Sequence, residues 1–207
     1  MRHSLHGFAL TVIGLTLLGT GCTVTQDGSP RSTAKPTSET TRPGPANRYG
    51  APSVSNPLDA TKFLTQPCAA LSTTQLTSLN LTAQGEADTT SAIARNVGPG
   101  CIWQNSSTAY TLGLTFMVGN KNGLADFYRG HQDGRFKGYW IETTVDDYPA
   151  VYENSTDNRK TGECDLAIGI SDTLTFRTRV QSRDGEKSCD QTKQAASLIL
   201  QTLKTGG

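Results

Sequence analysis

The fold is decided by the stretch "GECDLAIGISDTLTFRTRV", residues 162–180, which holds two consecutive strand-like segments. The segments are separated at Ser171 and Asp172, and the second alternates apolar and polar side chains. A period of two residues is typical of a half-buried β-strand, and a short link favours antiparallel pairing. This stretch therefore predicts an antiparallel hairpin.

Similar patterns precede it. Residues 100–119, "GCIWQNSSTAYTLGLTFMVG", predict two strands, and residues 138–154, "GYWIETTVDDYPAVYEN", predict a hairpin that turns at Asp146 and Asp147. Helical spacing appears in three segments, 59–81, 122–134 and 189–204. The order of about five strands between three helices predicts an α+β domain of two layers, with helices mainly on one face of an antiparallel sheet.

Residues 1–21 have the pattern of a lipoprotein signal peptide. Arg2 is followed by the apolar run "FALTVIGLTLL", residues 8–18, which is shorter than the roughly 20 residues that span a bilayer. The run ends in "LLGTGC", which resembles the bacterial lipobox, in which Cys22 would carry a thioether-linked diacylglycerol. The alternative is an ordinary signal peptide whose end happens to contain a cysteine.

Residues 22–57 are expected to form a disordered tether that begins at the lipidated Cys22. This segment is rich in Ser and Thr and holds six of the nine prolines, so it has little apolar surface to bury. Residues 58–207 then form a single globular domain with 14 basic and 16 acidic side chains. This near-neutral charge argues against nucleic acid as a partner.

The remaining four cysteines, Cys68, Cys101, Cys164 and Cys189, are predicted to form two disulfides. Lipidation of Cys22 would account for the odd fifth cysteine. Of three possible connectivities, we favour Cys68–Cys101 and Cys164–Cys189, because each joins the start of a strand to a helix. Trp103 should pack against the first of these.

The sequence offers little for catalysis or metal binding. Beyond the predicted signal peptide, His131 is the one histidine, and it lies in a polar, glycine-flanked segment. No cysteine pair has the close spacing of a zinc site, and no glycine motif of a nucleotide-binding loop occurs. We therefore predict no metal, no cofactor and no catalytic residue, with Asp146 and Asp147 forming a turn.

One segment suggests binding. Residues 135–142, "RFKGYWIE", place Arg135, Phe136, Tyr139 and Trp140 close together. Aromatic and basic side chains in such a cluster suit the rim of a groove for a glycan, a lipid or a partner protein. The alternative is that these aromatic residues begin a buried strand.

Several motifs together resemble one family. "PCAALSTTQLTSL", "CIW", "CDLAIGI" and "SCDQTKQAASLILQTL", after a lipobox and a Ser/Thr/Pro-rich tether, are similar to the actinobacterial envelope lipoproteins of the domain-of-unknown-function 3558 family. The resemblance covers the chain from Cys22 onwards. It implies a protein anchored by lipid on the outer side of the cell membrane, but no activity.

Two classes of function stay open. The first is a non-catalytic module that binds an envelope lipid, glycan or protein, and this is our prediction. The second is an envelope hydrolase that uses carboxylates or a serine. A groove beside Trp140 would favour binding, whereas carboxylates converging in a cleft would favour hydrolysis.

Overall fold

The computed structural model of the chain describes residues 47–81 and 84–206. The predicted signal peptide and Cys22 lie outside these residues. In the described part the helices are α1 (Thr61–Thr65), α2 (Thr73–Ser78), α3 (Ala92–Asn96), α4 (Leu124–Gln132) and α5 (Lys187–Thr205). Short 3₁₀ helices occupy Pro67–Ala70 and Arg159–Thr161.

The strands form one sheet. They are β1 (Glu86–Asp88), β2 (Gly100–Asn105), β3 (Tyr110–Phe116), β4 (Tyr139–Val145), β5 (Tyr148–Asn154), β6 (Glu163–Ser171) and β7 (Leu174–Gln181). Their order across the sheet is β1-β2-β3-β7-β6-β5-β4, and every neighbouring pair is antiparallel. The predicted α+β class with an antiparallel sheet is confirmed.

The hairpin predicted at residues 162–180 lies at the centre of this sheet. Cys164 is opposite Val180, and Ala167 is opposite Arg177. Strand β7 also pairs with β3, where Leu112 is opposite Val180. The hairpin therefore joins the β2–β3 pair to the β4–β5 pair.

The first face of the sheet carries most of the apolar core. Leu166, Ile168 and Ile170 alternate along β6 and are fully buried. They belong to one cluster with Phe63 of α1 and with the apolar side of α5, including Ile199. We call this cluster the first-face core.

The second face carries α4. Ala167 and Val151 have the opposite parity to the first-face residues, so they point to the other side of the sheet. They pack with Leu124, Ala125 and Phe127 of α4 in a second cluster, the second-face core. Helices thus contact both faces, with α1 and α5 in the first-face core and α4 in the second-face core.

The first predicted helix is broken into three pieces at Pro67. Proline disfavours helical backbone at the preceding residue, and Gln66 leaves the helix with φ −131° and ψ 64°. Ser72 then begins α2, with a capping box in which its hydroxyl accepts from the backbone N–H of Gln75. The broken path places Phe63 and Leu79 in the first-face core.

Both predicted disulfides are confirmed. Cys68–Cys101 joins the first 3₁₀ helix to β2, and Cys164–Cys189 joins β6 to α5, with Cα atoms 5.1 Å apart in each pair. Each bridge therefore ties the beginning of a strand to a helix.

Trp103 packs beside the first disulfide, as predicted. It shares one face of β2 with Cys101, and both side chains are 1% exposed. Gly85 covers them: a Cβ atom there would overlap both Sγ of Cys101 and the indole nitrogen of Trp103. Only glycine permits so close an approach.

Asp146 and Asp147 form the predicted turn between β4 and β5. Their φ angles of 48° and 72° are both in the left-handed region, which a two-residue hairpin turn requires and which Asp tolerates. Asp146 also accepts a hydrogen bond of 2.8 Å from Ser197 Oγ on α5. The pair therefore has a structural role.

The folded domain begins earlier than predicted. Residues 47–57 were assigned to the tether, but Ala51 is 5% exposed and lies in the second-face core. Arg48 forms an ion pair with Asp172, and Tyr148 Oη donates to the carbonyl of Asn56. Composition predicts a tether because the segment has few apolar residues. Those few nevertheless reach both cores, and its polar groups bond to residues distant in sequence.

Within the described residues, no helix has both the length and the hydropathy needed to cross a bilayer.

Candidate functional site

The four residues of the predicted binding segment follow α4. The chain leaves the helix at Gln132, turns at Gly134 with φ 74°, and enters β4 at Tyr139. Phe136 and Trp140 pack with the second-face core, and Arg135 lies beside them, exposed to solvent. Three of the four predicted residues are therefore brought together.

Tyr139 does not join them, which corrects the prediction. Adjacent strand residues point to opposite faces, and Tyr139 Oη instead accepts a hydrogen bond of 3.0 Å from the backbone N–H of Asp165. The guanidinium of Arg159 lies 4.6 Å from the centre of its ring. Burial, the largest cause, raises the pKa of Tyr139 to about 12. Tyr139 is a structural residue.

Trp140 lies at the centre of an aromatic cluster. The ring of His131 stacks on it at 4.3 Å, that of Phe136 stacks at 5.6 Å, and Tyr128 approaches edge-on at 5.0 Å. Trp140 therefore makes its ring contacts within the protein. This arrangement argues against Trp140 as a stacking platform for a sugar, and it assigns His131 a packing role.

A cavity of about 300 Å³ opens between α4 and the second face of the sheet, and we call it the α4 pocket. Its apolar lining comes from Met117, Phe127 and Phe136. The rings of Phe127 and Phe136 are stacked, with centroids 5.9 Å apart. Two of the predicted residues, Arg135 and Phe136, thus lie at a concave site.

The lining of the α4 pocket includes a buried carboxylate, that of Glu153 on β5. Asp165 on β6 does not line the pocket, but both side chains are 0% exposed and share an arginine. Arg177 on β7 bridges them: its Nε donates to Glu153 Oε1 at 2.6 Å, and its Nη2 lies 3.2 Å from Asp165 Oδ1. Arg179 Nε donates to the same Asp165 oxygen at 2.7 Å. Buried carboxylates are thereby held by guanidinium groups rather than left unpaired.

One oxygen of these carboxylates, Oε2 of Glu153, is not held by a guanidinium group. This oxygen is buried and has no hydrogen-bond partner within the described residues. Desolvation is the largest influence on Glu153 and raises its pKa from 4.5 to about 7, although Arg177 opposes the shift. Glu153 thus changes charge near neutral pH, directly beside the pocket.

The model of a family described as "Protein of unknown function (DUF3558)" matches residues 17–202. The chain belongs to the DUF3558 family. No curated protein and no solved structure shows a significant match. The matched range includes Cys22, the four paired cysteines and every residue of the α4 pocket.

Glu153 and Arg177 of this DUF3558 chain were missed by the sequence analysis. A partial signal exists in "TFRTRV", where Arg177 and Arg179 alternate with buried Phe176 and Val180 and so share the second face. Nothing local indicates that β5 lies close enough for Glu153 to reach Arg177. Within the described residues of this DUF3558 chain, no group of three or more His, Cys, Asp or Glu side chains could hold a metal ion.

The pKa of Glu153 predicts a pH-dependent stability. Between its ordinary pKa of 4.5 and its folded pKa of about 7, the folded chain holds a proton that the unfolded chain has released. The free energy of unfolding should therefore fall as pH rises through this window, by on the order of 3 kcal/mol. Urea unfolding at several pH values measures this.

The variant Glu153→Gln removes the titrating group and should flatten that part of the profile. Glu86→Gln, at an exposed position of β1, is the matched control and should keep the wild-type slope. An unchanged slope in Glu153→Gln would show that Glu153 ionises as freely in the folded chain as in the unfolded one.

Proposed function

We propose that this protein is an actinobacterial envelope lipoprotein, anchored through Cys22 on the outer side of the cell membrane, and that its domain binds an envelope ligand without chemical turnover. The observation that carries the binding proposal is the α4 pocket, which combines apolar side chains with the buried carboxylate of Glu153 and the guanidinium group of Arg177. Binding sites commonly combine these features.

The cysteine pairing supports the anchor. The two disulfides use Cys68, Cys101, Cys164 and Cys189, so Cys22 has no remaining cysteine in the chain to pair with. A lipid on Cys22 explains why an exported chain carries this fifth cysteine.

The state of the carboxylates favours binding over hydrolysis. Asp126 accepts from Arg129 at 2.9 Å, and Glu153 and Asp165 are both paired with Arg177. A general acid or base needs to reach a substrate proton. Each of these groups is instead engaged through at least one oxygen with a neighbouring guanidinium group, and the one partnerless oxygen, Glu153 Oε2, is buried. This arrangement supports a role in shaping and charging the pocket.

The variant Cys22→Ala should move the protein from the membrane fraction to the soluble fraction, because it removes the only acceptor for the lipid. Membrane fractionation and metabolic labelling with an alkyne fatty acid measure this change. Thr23→Ala, one residue later, is the matched control and should remain membrane-bound and labelled. Retention of Cys22→Ala on membranes would contradict the anchor.

Native mass spectrometry tests the binding proposal. Protein isolated from the envelope of the cells that make it should carry a non-covalent adduct. Phe136→Ala removes part of the apolar wall and should lose most of that adduct. Ile141→Ala removes another partly exposed apolar side chain, which is 45% exposed and does not line the pocket, and should keep it.

Circular dichroism should show that both variants remain folded at the temperature of the measurement. Wild-type protein without an adduct would contradict the binding proposal. An adduct retained equally by Phe136→Ala and Ile141→Ala would place the ligand elsewhere on the chain.

A further inference from the structure

Positively charged side chains outnumber negatively charged ones around the α4 pocket. Arg129, Arg135 and Arg177 line it, against the carboxylates Asp126 and Glu153. The three arginine side chains are 44%, 63% and 25% exposed, so each can be reached from solvent. Asp126 and Glu153 are nearly inaccessible, with side chains 8% and 1% exposed. A ligand entering the pocket therefore meets positive charge.

The three guanidinium groups differ in how strongly they are held. Arg129 is held by Asp126 at 2.9 Å, whereas Arg135 has Asp133 at 3.6 Å, too far for a good hydrogen bond. Arg177 is the least exposed of the three and lies between Glu153 at 2.6 Å and Asp165 at 3.2 Å. Guanidinium groups match carboxylate, phosphate and sulfonate oxygens in geometry and charge.

The apolar side chains of the pocket indicate that the ligand also has an apolar part. Met117, Phe127 and Phe136 cover one side of the pocket. An inorganic anion would leave this wall uncovered, whereas an apolar group attached to the anionic head would remove it from water at about 25 cal/mol per Å². The lining thus fits an amphiphile.

Glu153 would compete with such a ligand for Arg177. The charged groups that face Glu153 are Arg177 and Arg179 from β7 and Asp165 from β6, while its partner on β4 is the uncharged Trp140. Asp126, Arg129 and Arg135 face it across the pocket from α4 and the following turn. A proton on the unpartnered Oε2 would remove the repulsion between Glu153 and an incoming anion.

We propose that the α4 pocket binds the anionic head of an acidic amphiphile between Arg177 and the rim arginines Arg129 and Arg135. The apolar body of the ligand lies on Met117, Phe127 and Phe136. Glu153 takes up one proton from solvent as the ligand binds. No covalent bond of the ligand forms or breaks. This inference rests on the proposed function, since it specifies the ligand of the same pocket.

Pairs of probes that share an apolar group and carry opposite charges test whether the pocket prefers anions. Phenylmethanesulfonate and benzyltrimethylammonium share a benzyl group and carry opposite permanent charges, and octanesulfonate and octyltrimethylammonium do the same for an alkyl chain. Binding to the purified full chain is followed by heteronuclear NMR at the pocket residues. We expect each sulfonate to bind at least about tenfold more tightly than its ammonium partner. Preference for octanesulfonate would indicate a lipid-like source, and preference for the benzyl compound a small aromatic acid.

Variants and pH test the mechanism. Arg135→Gln should weaken sulfonate binding about threefold to tenfold, whereas Arg183→Gln, an exposed arginine outside the pocket, should not. Affinity should be constant below the pKa of Glu153 and fall by up to about tenfold per pH unit above it. Glu153→Gln should remove this pH dependence, because it removes the titrating group.

Three results would overturn the inference: ammonium probes that bind as tightly as sulfonates, affinity independent of pH in the wild type, or no binding of either charge. If the first or third occurs while the co-purifying adduct is still lost in Phe136→Ala, the ligand class is wrong and the proposed function stands; the second overturns the proton uptake by Glu153. If the adduct is also missing from the wild type, both fail.

Discussion

Deletion of residues 47–57 is expected to lower the free energy of unfolding by about 3–5 kcal/mol. The segment fills gaps in both cores. Ala51 is buried in the second-face core, Tyr49 packs against the same cluster, and Val54 packs against the first-face core. Their removal would expose apolar surface on both sides of the sheet.

The polar contacts of the segment add to this loss. The backbone N–H of Val54 donates to Asp172 Oδ1 at 3.1 Å, and Tyr148 Oη donates to the carbonyl of Asn56 at 2.9 Å. The Arg48–Asp172 ion pair is partly exposed and should contribute less than about 1 kcal/mol. Hydrogen bonds lost at partly buried positions cost about 1 kcal/mol each.

Deletion of residues 24–46 from the same chain is the matched control. It removes a Ser/Thr/Pro-rich stretch with few apolar side chains, so we expect a nearly unchanged melting temperature. Urea unfolding of both variants, followed by circular dichroism, measures the difference. Equal stability of the two variants would mean that residues 47–57 contribute nothing to folding and that the domain begins at residue 58.

This boundary shows what composition can and cannot predict. Residues 22–57 are polar and proline-rich, and they accordingly hold little apolar surface. Docking depends instead on partners such as Asp172, 118 positions from Val54, and composition carries no information about a partner so distant in sequence.

Much of the sheet could be predicted because its strands alternate clearly. Along β3, Tyr110, Leu112, Leu114 and Phe116 are buried and the residues between them are half-buried, the pattern visible in the sequence. Strand β1 could not be found in this way, since its three residues, Glu86–Asp88, are polar or small and mostly exposed. It exists because β2 offers an edge for antiparallel pairing.

Helix α3 was missed for a related reason. It has five residues, too few for a helix to be stable by itself or to show a periodic apolar pattern. Its first turn depends on Ser91, whose hydroxyl accepts from the N–H of Ala94 and donates to Asp88. Such a short element is determined by contacts at its end rather than by its own sequence.

The sequence predicted some residues of the candidate site and not others. The sequence placed Arg135, Phe136 and Trp140 close together because they are near one another in the chain. It could not place Glu153 and Arg177 in the same pocket, since they are 24 positions apart and meet only through the order of β5, β6 and β7. Tyr139 is close to Trp140 in sequence but lies on the opposite side of β4, because the side chains of a strand alternate between its two faces.

Removal of either disulfide is expected to cost about 3–4 kcal/mol, and removal of both should prevent stable folding. The bridges close loops with sequence separations of 33 and 25 residues, so the chain-entropy model predicts nearly equal losses. The double variants Cys68→Ala/Cys101→Ala and Cys164→Ala/Cys189→Ala measure the two losses by urea unfolding. A difference between them must then come from packing.

We expect the second double variant to lose more. Cys164 is 0% exposed at the centre of the sheet, and its bridge holds the start of α5, which supplies Ala195, Ile199 and Leu200 to the first-face core. Cys101 is also buried, but Trp103 and β3 still hold β2 when that bridge is removed. A smaller loss for Cys164→Ala/Cys189→Ala than for Cys68→Ala/Cys101→Ala would mean that α5 docks through its apolar face alone and that the bridge at its start adds little.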